Sequence, residues 1–203
     1  MVVRQETHPG RGAGGYPDEF RVAVDSMHAA RFRPEILCEE MPAPQRIAPY
    51  AAALSADVTV DGTDVGTGRI ILLHDPAGND AWTGTFRCVA YARAEIDPDL
   101  ITDPMLAAVG WSWLTEALEA HHAPYAAPSG TVTRVATESF GSMSDEEASA
   151  QLELRASWTP TTLDIAPHVE AWGELLCTAV GLPPVPEGVS VMPSRRGQRG
   201  TDQ

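Results

Sequence analysis

Apolar and polar side chains alternate most regularly over residues 82–97. Trp82, Phe86, Cys88, Ala90, Ala92 and Ala94 fall on one face of a strand there, and Thr83, Thr85, Arg87, Val89, Tyr91, Arg93 and Glu95 fall on the other. The first face predicts core and the second a half-wet surface. The alternation over 149–158 is equally clean, with Ala150, Leu152, Leu154, Ala156 and Trp158 set against Gln151, Glu153, Arg155 and Ser157. Weaker strand signals cover 54–60, 68–74 and 131–139. Asp61-Gly62 supplies a tight turn after the first, and 141–148 forms a hairpin loop after the last.

Three stretches carry helical periodicity instead. From Pro17, with Asp18 and Glu19 in its first turn, Phe20, Ala23, Val24, Met27 and Ala30 recur on one side until the chain reaches Pro34. Over 105–122 the predicted stripe is Leu106, Val109, Trp113, Ala117 and Leu118, and Trp111 lies off it and needs another neighbour. The third helix, 166–180, buries Val169, Trp172, Leu176 and Val180 and stops at Gly181 before Pro183-Pro184. Residues 35–50 contain Pro42, Pro44 and Pro49 and read as an extended crossing segment with little regular structure.

The expected order is therefore helix, three strands, helix, two strands, helix. This is an α+β, two-layer fold with a five-stranded, mainly antiparallel sheet and helices on one face. A chain of 203 residues fits one such domain, placed at 17–186 between flexible tails at 1–16 and 187–203.

Charge narrows the range of partners. The net charge is −14, every basic residue is arginine, and residues 47–192 hold 5 Arg against 20 Asp plus Glu, a net −15. An acidic body repels phosphate backbones, so nucleic acid is not an expected partner. No apolar run approaches a signal peptide or the roughly 18 residues of a membrane span, so the expectation is a cytoplasmic protein without membrane contact. Cys38, Cys88 and Cys177 are odd in number, far apart and set in apolar patterns. They read as buried thiols rather than a disulfide or zinc framework.

Candidate chemistry is sparse. The Gly-X-Gly at 66–68 sits in a hairpin, and no Gly-X-Ser-X-Gly elbow surrounds Ser139 or Ser142. His121 and His122 are adjacent rather than four apart, which suits a helix C-terminus better than one metal. His74-Asp75 closes a strand beside a turn without an identifiable nucleophile. No cofactor, metal or catalytic residue is expected. The exception to an idle surface is the strip Arg87, Val89, Tyr91 and Arg93 on the outer face of the 82–97 strand, basic and aromatic in an acidic body. It calls either for cross-strand acids, with Glu153 the candidate, or for a partner.

The segments PAPQRIAPYAA (42–52), GRIILLHDPAGNDAWTGTFRCVAYARAEI (68–96), GWSWLTEAL (110–118), SGTVTRVATESFG (129–141), RASWTP (155–160) and AWGELLCTAVGLPP (171–184) resemble an actinobacterial family catalogued as domain of unknown function three-thousand. The resemblance spans nearly all of the chain between the tails and implies no activity, cofactor or site residue. The element order is also similar to that of small acidic type III secretion chaperones, which dimerise and hold extended partner segments. These readings lead to a non-enzymatic protein-binding or adaptor domain, with a protein partner or a homodimer, and with Arg87, Tyr91 and Arg93 as binding residues. The alternative is a small-molecule-binding protein or enzyme with a site near His74, Asp75 and the second helix.

Overall fold

The computed structural model describes residues 15–145 and 147–184. Apart from Gly15 and Tyr16, the expected tails lie outside the described residues. Helix α1 (Asp18–His28) opens on Pro17 with two acids in its first turn and buries Phe20, Ala23 and Met27. Strands β1 (Ile36–Met41), β2 (Tyr50–Val60), β3 (Thr63–Asn79) and β4 (Gly84–Ile96) then form an antiparallel meander. After a 3₁₀ turn at Pro98–Thr102, helix α2 (Leu106–Ala120) carries the chain past the growing sheet to its far edge, β5 (Tyr125–Thr137). Strand β6 (Ser149–Pro160) returns between β5 and β4, and helix α3 (Ala166–Ala179) completes the fold. The sheet order is β1-β2-β3-β4-β6-β5, with every pair antiparallel.

The α+β class and the one-sided helices match the sequence reading, but the sheet has six strands, not five. The additional strand, β1, lies in the proline-rich stretch. Its run Ile36-Leu37-Cys38-Glu39-Glu40-Met41 ends just before Pro42, so the prolines terminate the ladder without preventing it. With β1 present, the element order also departs from the one on which the chaperone likeness rested.

The core lies between the sheet and the helix layer. Leu54, Ala56, Val58, Ile70, Leu72, Cys88, Ala90, Ala92, Leu154, Ala156 and Trp158 rise from the strands to meet Leu114 and Leu118 of α2 and Val169, Trp172 and Leu176 of α3. Small residues in the central strands let α3 approach closely. A Cβ on Gly68 would stand 2.9 Å from the Trp172 ring, and the Trp172 indole donates to the Tyr91 carbonyl at 3.2 Å. The buried stripe of α2 differs from the expected one. In α2 the buried positions are Leu106, Gly110, Leu114, Ala117 and Leu118, because Gly110 is the point of contact with Leu152 and Val132, and Val109 stays exposed. Trp111 finds its neighbour at Gly130, where a Cβ would come within 2.6 Å of the indole. Trp158 and Trp172 are fully buried, whereas Trp82 is half-buried. Thr83, with φ 56°, turns the chain before β4 begins and breaks the alternation there.

The N-terminus of α3 has no capping side chain of its own. Ser26 of α1 supplies one from outside: its Oγ accepts from Ile165 N (2.8 Å) and Ala166 N (2.9 Å) and donates to Asp164 Oδ1 (2.8 Å). This fixes α1 against the start of α3 and satisfies two helix-terminal donors. No helix among the described residues is long and apolar enough to cross a membrane.

Candidate functional site

Strand alternation sends the side chains of β4 to opposite sides of the sheet, so the face away from the helices is built from every second residue of each strand. Register joins these into rows. Arg69, Tyr91, Arg155 and Thr131 form one row across β3, β4, β6 and β5, and Thr67, Arg93, Glu153 and Thr133 form the next. On the other side of the Tyr91 row lies Ala53-Ile71-Val89-Ser157-Ser129, and beyond it the row that contains Leu73 and Arg87. The face thus grades from an apolar end to a band of charge.

Arg87, expected as a surface binding residue, is only 6% exposed. Its Nη1 donates to Ala127 O (2.9 Å) and Thr159 Oγ1 (3.0 Å). Its Nη2 donates to Ser129 Oγ (3.1 Å), Ser157 O (3.2 Å) and Ser157 Oγ (2.8 Å). The reason lies in β5. Its register with β6 shifts between Ala126 and Ser129, Ala127 takes a positive φ of 48°, and Pro128 has no N–H to offer. The guanidinium fills this gap in the ladder, and Thr159 in turn donates to the Trp82 carbonyl, tying down the β3–β4 hairpin tip. Burial lowers the Arg87 pKa, and no carboxylate is among the five contacts. Arg87 therefore clasps three strands from within.

Tyr91 and Arg93 are half-buried on the open face. The Arg155 guanidinium stands 5.5 Å from the Tyr91 ring centroid, a cation–π contact. Burial, reinforced by Glu153, raises the Tyr91 pKa against the pull of Arg93 and Arg155, so the phenol keeps its proton. Arg93 Nε donates to Gln151 Oε1 at 3.0 Å. Glu153, directly across from Arg93 in register, instead pairs with Arg155 on its own strand at 3.3 Å. Arg69, exposed beside Tyr91, has no ion pair or hydrogen-bond partner among the described residues. Sequence reasoning passed over Arg69 and Arg155 because they belong to other strands, and only register places them beside Tyr91.

The alternative site does not assemble as expected. His74 is buried in the core, its ring stacked on Phe86 (4.1 Å between centroids) and flanked by Phe20 (5.9 Å), with Nδ1 3.0 Å from Thr85 O. Asp75 accepts from Ala77 N at 3.0 Å, which is turn chemistry. A shallow depression of about 370 Å³ at the end of α2 is lined by Glu119, His122, Ala123, Pro124, Tyr125 and Thr161, without His74 or Asp75. His121 approaches Glu170 at 3.7 Å. Among the described residues no group of His, Cys, Asp and Glu could hold a metal ion. The three cysteines are free thiols. Burial raises their pKa values to about 11 at Cys38 and about 12 at Cys88 and Cys177, which leaves them unreactive at neutral pH.

Residues 16–190 match the model of a family described as a protein of unknown function (DUF3000). No curated protein and no solved structure matches the chain.

Proposed function

The chain belongs to the DUF3000 family, and from that premise we propose a non-enzymatic, adaptor-type docking domain that works in the cytoplasm by holding another protein on the open face of its sheet. The observation that carries this reading is the one-sided architecture. Three helices shield one face, and the opposite face presents Ile71, Val89 and Tyr91, all half-buried, beside Arg69, Arg93 and Arg155. Aromatic residues and arginine are the types enriched where proteins meet, since they combine broad apolar contact with directed hydrogen bonds. Three free thiols, Cys88 and Cys177 buried and Cys38 half-buried, suit a reducing compartment. The stretch 17–186 acts in this reading as one unit.

The test is site-specific photo-crosslinking in cells. A benzophenone-bearing phenylalanine analogue in place of Tyr91 is expected to give a discrete adduct with another protein. The same group in place of Glu116, exposed on the solvent side of α2, is expected to give none. Adducts from both positions, or from neither, overturn the reading.

A further inference from the structure

Resting on that docking reading, we infer that the occupant of the open face is an acidic, extended segment of a partner protein, seated over Tyr91 between Arg69, Arg93 and Arg155. The setting gives this patch its meaning. Residues 15–184 hold 9 Arg against 25 Asp plus Glu, a net −16, yet three of those arginines stand in two adjacent rows of one sheet face. Glu153 is the carboxylate of those two rows on β3, β4 and β6, and its ion pair goes to Arg155. The rows continue onto β2 and β1 through Asp57 and Glu39, neither of which pairs with Arg69 or Arg93. Arg69 is left without a partner among the described residues, and Arg93 has only the neutral amide of Gln151 at its Nε. Arg69 and Arg93 thus flank Tyr91 without an ion pair of their own among the described residues.

Geometry adds to charge. Neighbouring strands are roughly 4.8 Å apart and alternate residues along a strand roughly 7 Å apart, so Arg69, Arg155 and Arg93 stand at spacings an extended chain reproduces with its own alternate side chains. Carboxylates two residues apart on such a chain reach separate guanidinium groups. The Tyr91 ring between them adds an apolar surface. A nucleic acid fits poorly, because three arginines cannot neutralise a long phosphate backbone while the surrounding body repels it. A short acidic peptide places its charges only where the arginines are.

The experiment titrates ¹⁵N-labelled protein with a short capped poly-glutamate peptide and follows the arginine Nε–H and backbone signals. Poly-lysine and oligothymidylate of equal length serve as comparisons. Poly-glutamate is expected to move the signals of Arg69, Arg93, Arg155 and Tyr91 in a salt-sensitive manner. The double variant Arg69→Glu/Arg155→Glu alters two exposed side chains and keeps its thermal midpoint, and it is expected to weaken that binding at least about tenfold. Unmoved arginine signals, equal binding by the double variant, or tighter binding of oligothymidylate at the same signals overturn the inference. If the Tyr91 crosslink still forms while poly-glutamate fails, the docking face stands and the acidic occupant falls. If the crosslink fails as well, both fall.

Discussion

His168 makes the stability of this fold depend on pH in a way that can be separated from its many carboxylates. The imidazole is fully buried at the start of α3, and its Nδ1 lies 3.0 Å from the indole Nε1 of Trp158. An indole N–H can only donate, so Nδ1 must accept, and the ring is held neutral with its proton on Nε2. That Nε2 has no hydrogen-bond partner among the described residues. Protonating Nδ1 would set two N–H groups against each other in the core. Burial accordingly lowers the pKa from 6.5 to about 4, a shift that the charge of Asp164 only partly offsets. The unfolded chain takes up a proton near 6.5 and the folded one only near 4, so the contribution is complete above 6.5 and is lost as the pH falls through that window. At about 1.4 kcal/mol per pH unit the loss is about 2 kcal/mol by pH 5 and about 3 kcal/mol by pH 4. Denaturant unfolding followed by tryptophan fluorescence should be run on the wild type and on His168→Asn, whose amide oxygen can still accept from Trp158. Carboxylate titrations are common to both proteins and cancel in the difference. The stability of the wild type relative to the variant should fall by those amounts with acidification. Parallel curves for the two proteins would refute the buried neutral imidazole.

Two further substitutions probe the clasps. Arg87→Leu leaves the Ala127 and Ser157 carbonyls without their charged donor and should destabilise by about 2–3 kcal/mol in urea. Arg87→Lys, lacking the fork, should recover only part of this, and a leucine variant as stable as the wild type would refute the clasp. Ser26→Ala removes the cap of α3 and should cost about 1–2 kcal/mol. It should also speed amide exchange at Ile165 and Ala166, whereas unchanged exchange there would contradict the capping role.

Period-two patterning carried most of the sheet. Phe86, Cys88, Ala90, Ala92 and Ala94 point to the core as their alternation requires, and β6 follows the same rule through Trp158. What stayed hidden had physical causes. Strand β1 is six residues long beside a run of prolines, so composition outweighed a short ladder. The contact face of α2 is centred on Gly110, a residue that hydrophobic patterning treats as blank although its lack of a side chain is what admits Leu152. For the candidate site, alternation put Arg87 and Arg93 on one face. It held no information about the β5 bulge that draws Arg87 inward while Arg93 stays near solvent. Arg69 and Arg155 became neighbours of Tyr91 through pairing between distant segments, which no local window contains.

The indole of Trp172 grips the main chain of β4 from below, at the residue whose phenol stands on the opposite surface. Tyr91 therefore projects from a floor that cannot flex without disturbing the most deeply packed helix. A ligand arriving there meets a pre-set backbone, and the motional freedom surrendered on capture is confined to the arginine side chains around it. Recognition on such a floor can be retuned one rotamer at a time while the layers beneath remain unaltered.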